Sequence, residues 1–72
     1  FAHSVISINA SNTIVVIRTI SGSAAAAGEA IDSLNWPEII GSIAGDNTIF
    51  LAVKDLKMVP DVLKRIGAMM RK

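Results

Sequence analysis

Asp46 and Asn47 stand side by side between two strongly apolar runs, in the stretch GSIAGDNTIF that covers residues 41–50. An acid and an amide with a glycine just ahead of them can do one of two things. They can turn the chain, because glycine, aspartate and asparagine tolerate the positive φ that tight hairpins require. They can also hold a charged ligand, since a carboxylate takes a cation through charge-assisted hydrogen bonds. On composition alone the turn is the simpler reading. Asp32 keeps the other open, as a second carboxylate in a helix otherwise poor in charge: two acids near an interface would suit a cationic ligand.

Other chemistry is poorly supplied. The chain has one histidine, no cysteine and no tyrosine, so no nucleophile, base and orienting group can be assembled, and an enzyme is not expected. His3 lies near the start of the chain, where an exposed ring is the ordinary outcome. No glycine-rich stretch carries a phosphate-loop lysine or dinucleotide spacing. No His, Asp and Glu cluster at ligand spacing, so no metal is expected. Asn9-Ala10-Ser11 matches a glycosylation sequon by chance in a chain without a secretory signal. The basic residues Lys64, Arg65, Arg71 and Lys72 gather on one segment that reads as a solvated face rather than a nucleic-acid footprint. Trp36, with nothing basic or aromatic interleaved around it in sequence, reads as a packing anchor.

The elements that must position these residues are small. With 72 residues, one domain buries only about 60% of its unfolded surface, and its own core is marginal. Without disulfides or a metal, self-association is the remaining common supplement. A hydrophobic content of 51% and a net charge of +1 lean the same way. No apolar run approaches the ~20 residues that span a bilayer, and a soluble, cytoplasmic piece of a longer protein is expected.

Along the chain the order reads strand, strand, helix, strand, strand, helix. Val5, Ser7 and Asn9 alternate with Ile6 and Ile8, a strand with one wet face. Ala10, Ser11 and Asn12 supply turn residues, and Thr13 to Ile20 return antiparallel with apolar residues on both faces. Two helices cover only one face of such a sheet, which leaves the other to a second subunit. Ser23 to Asn35 form an alanine-rich helix with Ala24, Ala27, Ile31 and Leu34 on one stripe, capped by Ser21 or Ser23 and ended by Trp36-Pro37. Residues 38–45 and 48–54 make the second strand pair. Val59, Val62, Leu63, Ile66, Met69 and Met70 fall at helical spacing after Pro60, with Asp61 in the first turn and Arg71 and Lys72 at the end.

Two of these segments resemble a known family. GSIAGDNTIF is similar to the G-T-I-A-G-D-D-T-I signature of the C-terminal domain of bacterial arginine repressors. TISGSAAAAGEAID is similar to that family's T-x-P-G-x-A-Q-x-x-x-x-x-x-D stretch, and the likeness runs through nearly all 72 residues in the same element order. It implies an α+β two-layer sandwich of ββαββα order, a four-stranded antiparallel sheet with two helices on one face. It also implies that residues 1–72 form a single oligomerisation and effector-binding domain. Homo-trimers would stack as a hexamer with L-arginine between them, and operator DNA would be met only by an N-terminal winged helix outside this chain. Residue by residue, the likeness assigns Asp46 to the carboxylate that grips arginine, Asp32 to a helical aspartate near the ligand, and Ser42 and Ala44 to the pocket lining. No cofactor beyond the effector is implied.

Two departures from the pattern bear on the ligand, while Ser21 in place of its proline only loosens the turn. Asn47 stands where the signature has its second aspartate, and Ala25 where the helix usually carries glutamine. A hydrogen bond to a charged group contributes about 1.5 to 3 kcal/mol against about 1 for a neutral one. The response to L-arginine is therefore expected to be weakened or altered, with an assembly domain that binds no amino acid as the alternative. Small dimerisation cofactors and dehydratases share the strand-strand-helix order, but their chemistry wants histidines in a cleft, which the sequence lacks.

Overall fold

The computed structural model describes residues 3–70. Strands β1 (Val5–Ser11), β2 (Ile14–Thr19), β3 (Ile39–Ala44) and β4 (Thr48–Val53) form one antiparallel sheet in the order β1-β2-β4-β3. Helix α1 (Ala24–Asp32) links β2 to β3, and a short 3-10 turn (Leu56–Met58) leads into α2 (Val59–Met70). The element order and the two-layer α+β architecture are those expected from the sequence. Arg71 and Lys72, expected to end the last helix, lie outside the described residues.

The core forms between one sheet face and both helices. Val15 and Ile17 of β2 and Ile49, Leu51 and Val53 of β4 pack against Ala24, Ala27 and Ile31 of α1 and Val62 and Ile66 of α2. Period-2 alternation sends the neighbouring side chains to the opposite face. There Ile14, Val16 and Ala52 are only half-buried, Phe50 is 52% exposed and Ile43 75% exposed. No element of the described chain covers that apolar surface.

Two bulges change the reading of the edge strands. In β1, Val5 pairs with Thr19 and Ser7 with Arg18, so Ile6 is the extra residue. The bulge flips the phase of everything before it. Val5 therefore joins Ile8 on the core side, not Ser7 and Asn9 as the alternation suggested, and Ile6 is turned out at 64% exposed. In β3 the irregularity between Ile39 and Gly41 does the same to Ile40, 71% exposed.

Turns and caps hold the strands in register. Asn12 opens the two-residue link from β1 to β2 with a left-handed φ of 54°, a conformation asparagine tolerates well. Asn35, also at φ 54°, ends the run after α1, so the helix stops earlier than Asn35 itself and Leu34 lies outside it, partly exposed. Ser23 occupies the N-cap position of α1 but its hydroxyl makes no capping bond, which corrects the serine cap read from sequence. The acceptor comes from elsewhere: Ala24 N–H donates to the Asp46 carbonyl at 3.1 Å.

Trp36 joins the second helix to this frame. The Arg65 guanidinium lies 4.3 Å from the centre of its ring and also pairs with the Glu38 carboxylate. Arg65 Nε is 3.0 Å from Asp61 Oδ2 one turn away, a charge contact whose N–H is not aimed at the oxygen. Arg65 is thus a stacked, paired side chain rather than part of a solvated basic face, and Trp36 does have a cation on it. The Glu38 carboxyl is held below its ordinary value of 4.5, first by its own backbone N–H and then by Arg65.

Candidate functional site

The hairpin between β3 and β4 carries Asp46 and Asn47 at its tip. Gly45 N–H donates to the Thr48 carbonyl at 2.8 Å, closing the turn on two residues. The hairpin is the one expected, but among the described residues only Asn12, Asn35 and Gly22 have positive φ, so Asp46 and Asn47 turn the chain without left-handed geometry. The two carbonyls explain how. Asp46 O takes the Ala24 N–H and Asn47 O takes the Thr19 N–H at 2.8 Å. The tip is pinned to the start of α1 and the end of β2 by its backbone, and its side chains are left for other work.

Those side chains are oriented. Ser21 Oγ donates to Asp46 Oδ2 at 3.1 Å, and Thr48 Oγ1 donates to Asn47 Oδ1 at 2.9 Å. Gly22, at φ 81°, gives the loop its left-handed bend between Ser21 and Ser23. Ala25, in the first turn of α1, is exposed and offers only a methyl group.

Asp32 and Ser42 form a second cluster. Ser42 Oγ donates to Asp32 Oδ1 at 2.8 Å, and both line an open groove of about 400 Å³ with Ile31, Trp36 and Ile39. Asp32 ends α1 while Asp46 caps its beginning. At 1.5 Å of rise per residue the two ends of α1 lie about 12 Å apart. Ala44 lies between the clusters on β3, where it packs beside Gly28 of α1. The predicted residues therefore follow one seam between α1 and β3, with Asp46, Asn47 and Ala25 at one end and Asp32 and Ser42 at the other. One protomer does not bring its two acids onto one small cation.

Sequence reasoning missed Ser21 and Thr48, the hydroxyls that aim Asp46 and Asn47. Thr48 was legible as the residue next to the amide; Ser21 is remote in sequence and only the fold brings it near. Among the described residues no group of His, Cys, Asp or Glu could hold a metal ion, and no helix is long and apolar enough to cross a membrane.

Comparison with known proteins gives this seam a family. Residues 1–68 match the family model described as "Arginine repressor, C-terminal domain". The chain is 47% identical over 70 residues to the arginine repressor of Caldicellulosiruptor saccharolyticus, covering 97% of this chain and 46% of that protein. It is 48% identical over 71 residues to the arginine repressor of Clostridium tetani, covering 99% and 46%. It is 48% identical over 67 residues to that of Desulfitobacterium hafniense, covering 93% and 45%. The chain thus spans less than half the length of these relatives, which are named for repression and not for catalysis. A match over nearly every residue, on a fold whose hairpin and helix carry both signature stretches, makes this chain a member of the arginine repressor C-terminal domain family.

Proposed function

We propose that this domain assembles a transcriptional regulator of arginine metabolism and couples that assembly to an amino-acid effector. The observation that carries the proposal is the bare apolar sheet face, with Ile14, Val16, Ile43, Phe50 and Ala52 exposed or half-exposed and covered by no element among the described residues. Three copies packed through that face would form a trimer, and two trimers meeting along their α1 and β3 seams would form a hexamer. Such a meeting can bring the Asp46 end of one seam against another copy's seam, which supplies the shared site that a single protomer lacks.

In this reading L-arginine bridges the trimers, its guanidinium held by Asp46 through parallel charge-assisted hydrogen bonds. Asp32, Ser42 and Ala44 complete the lining, with Asn47 and Ala25 as the altered positions. Unliganded, Asp46 carboxylates on facing trimers repel, and a cation between them removes that repulsion. Effector binding then shifts the population from trimer to hexamer by its differential affinity for the two. A hexamer presents several DNA-binding arms at once, so operator affinity rises through multivalency. Those arms belong to a part of the parent protein outside these 72 residues, and the site of action is the cytoplasm.

The alternative is an assembly domain with no amino-acid effector, favoured by the bare methyl of Ala25 at the site's edge. Sedimentation equilibrium with and without millimolar L-arginine separates the two. A trimer that gains mass to a hexamer supports the effector reading, an oligomer indifferent to arginine supports the alternative, and a monomer removes both.

A further inference from the structure

We infer that the uncovered sheet face takes up a free tetrahedral oxyanion of the phosphate class between copies of this chain, held by Arg18. The inference rests on the reading of that face as an assembly surface and names what the assembly binds. Arg18 is the only charged residue in the four strands. It follows Ile14 and Val16 on the uncovered side of β2 by period-2 alternation, and it is exposed. The register sets Ser7 of β1 opposite it on one side and Thr48 of β4 on the other. The Thr48 hydroxyl is engaged with Asn47 Oδ1, whereas the Arg18 guanidinium and the Ser7 hydroxyl have no partner among the described residues. Asp46, the acid of the adjoining hairpin, is engaged by Ser21 ahead of α1.

β2 is one of the two inner strands, so Arg18 stands in the middle of the sheet's width. A closed symmetric assembly repeats every surface charge around one axis. Three copies joined through this face therefore bring three guanidinium groups towards that axis, with no carboxylate in any strand to meet them. Like charges taken out of water must be paired or they oppose the assembly. A tetrahedral oxyanion supplies the pairing: its oxygens accept from planar guanidinium forks, its charge is opposite, and its own threefold axis matches that of a trimer. Ser7 adds a hydroxyl donor from the neighbouring strand. One copy offers a single guanidinium in open water, so the site is complete only on assembly, and an anion that binds only the oligomer stabilises it.

The test is sedimentation equilibrium of the 72-residue chain without L-arginine, in sodium phosphate and in sodium chloride at equal pH and ionic strength, on the wild type and Arg18→Gln. The wild type is expected to assemble at about tenfold lower protein concentration in phosphate, the scale of a hydrogen bond to a charged group. Phosphate also strengthens apolar burial in general, an effect both chains share, so Arg18→Gln is expected to show only that smaller gain. Titration calorimetry of inorganic phosphate into the assembled wild type needs no variant and is expected to give roughly one anion for every three chains. Equal gains in the two chains, or no calorimetric binding, would overturn the inference and leave the assembly surface standing. So would an Arg18→Gln chain that assembles more weakly by the same factor in both salts, which would assign Arg18 to a carboxylate of the neighbouring copy. A wild type that stays monomeric in both salts would remove the assembly reading and the inference with it.

Discussion

Asp46 has two tasks at one position: its backbone carbonyl receives the first N–H of α1, and its carboxylate faces outward. The two can be separated, because Asp46→Asn keeps the carbonyl and loses the charge. That variant is expected to melt within about 1 kcal/mol of the wild type, the scale of a single neutral hydrogen bond, while its affinity for L-arginine falls tenfold or more by calorimetry. Glu38 permits a test by pH. Its carboxyl is depressed in the folded chain, so the unfolded chain binds protons more readily as pH falls, and folding loses stability in that direction. The contribution is complete above pH 4.5, the ordinary value, and is lost below it. In melting curves recorded against pH, Glu38→Gln is expected to flatten that part of the acid loss. Aspartate and asparagine beside glycine announced the tip in the sequence. The stack of Arg65 on Trp36 was not announced, because the residues are 29 positions apart and meet only when α2 closes over the link between α1 and β3.

Strands and helices were legible where their period was unbroken. β2 and β4 alternate without interruption, and each side chain fell on the expected face. β1 and β3 each hold a bulge, and one extra residue reverses the pattern before it, which alternation alone does not reveal. The caps were hidden for a similar reason, since α1 takes its cap from a backbone carbonyl of a distant hairpin. Within α1, Gly28 is buried, and a methyl group added there would meet Ala44 Cβ at 3.5 Å and Ile49 Cγ2 at 4.0 Å, ordinary contact distances. Close approach therefore does not require the glycine. Gly28→Ala is expected to stabilise the fold by up to about 1 kcal/mol from helix propensity, raising the melting temperature by about 4–8 °C for a domain of this size. Differential scanning calorimetry reads it directly, and a lowered melting temperature would mean that the seam is tighter than these distances indicate.

At the scale of the whole molecule, the sheet has one face in the core and one face without a cover. The apolar content of both faces of β2 made that visible from the sequence, whereas the identity of the cover depends on geometry between copies, which no single chain encodes locally. Phe50 and Ile43 stand opposite one another across β4 and β3 on that bare face. Charges placed there would have to be buried in any assembly through the face, at a cost of several kcal/mol for each unpaired ion. The most direct measurement is sedimentation equilibrium of the wild type beside Phe50→Lys, each with and without millimolar L-arginine. A trimeric wild type that becomes hexameric with arginine, beside a folded variant that stays monomeric, is the expected result. A monomeric wild type, or a Phe50→Lys variant that assembles like the wild type, would contradict assembly through the sheet.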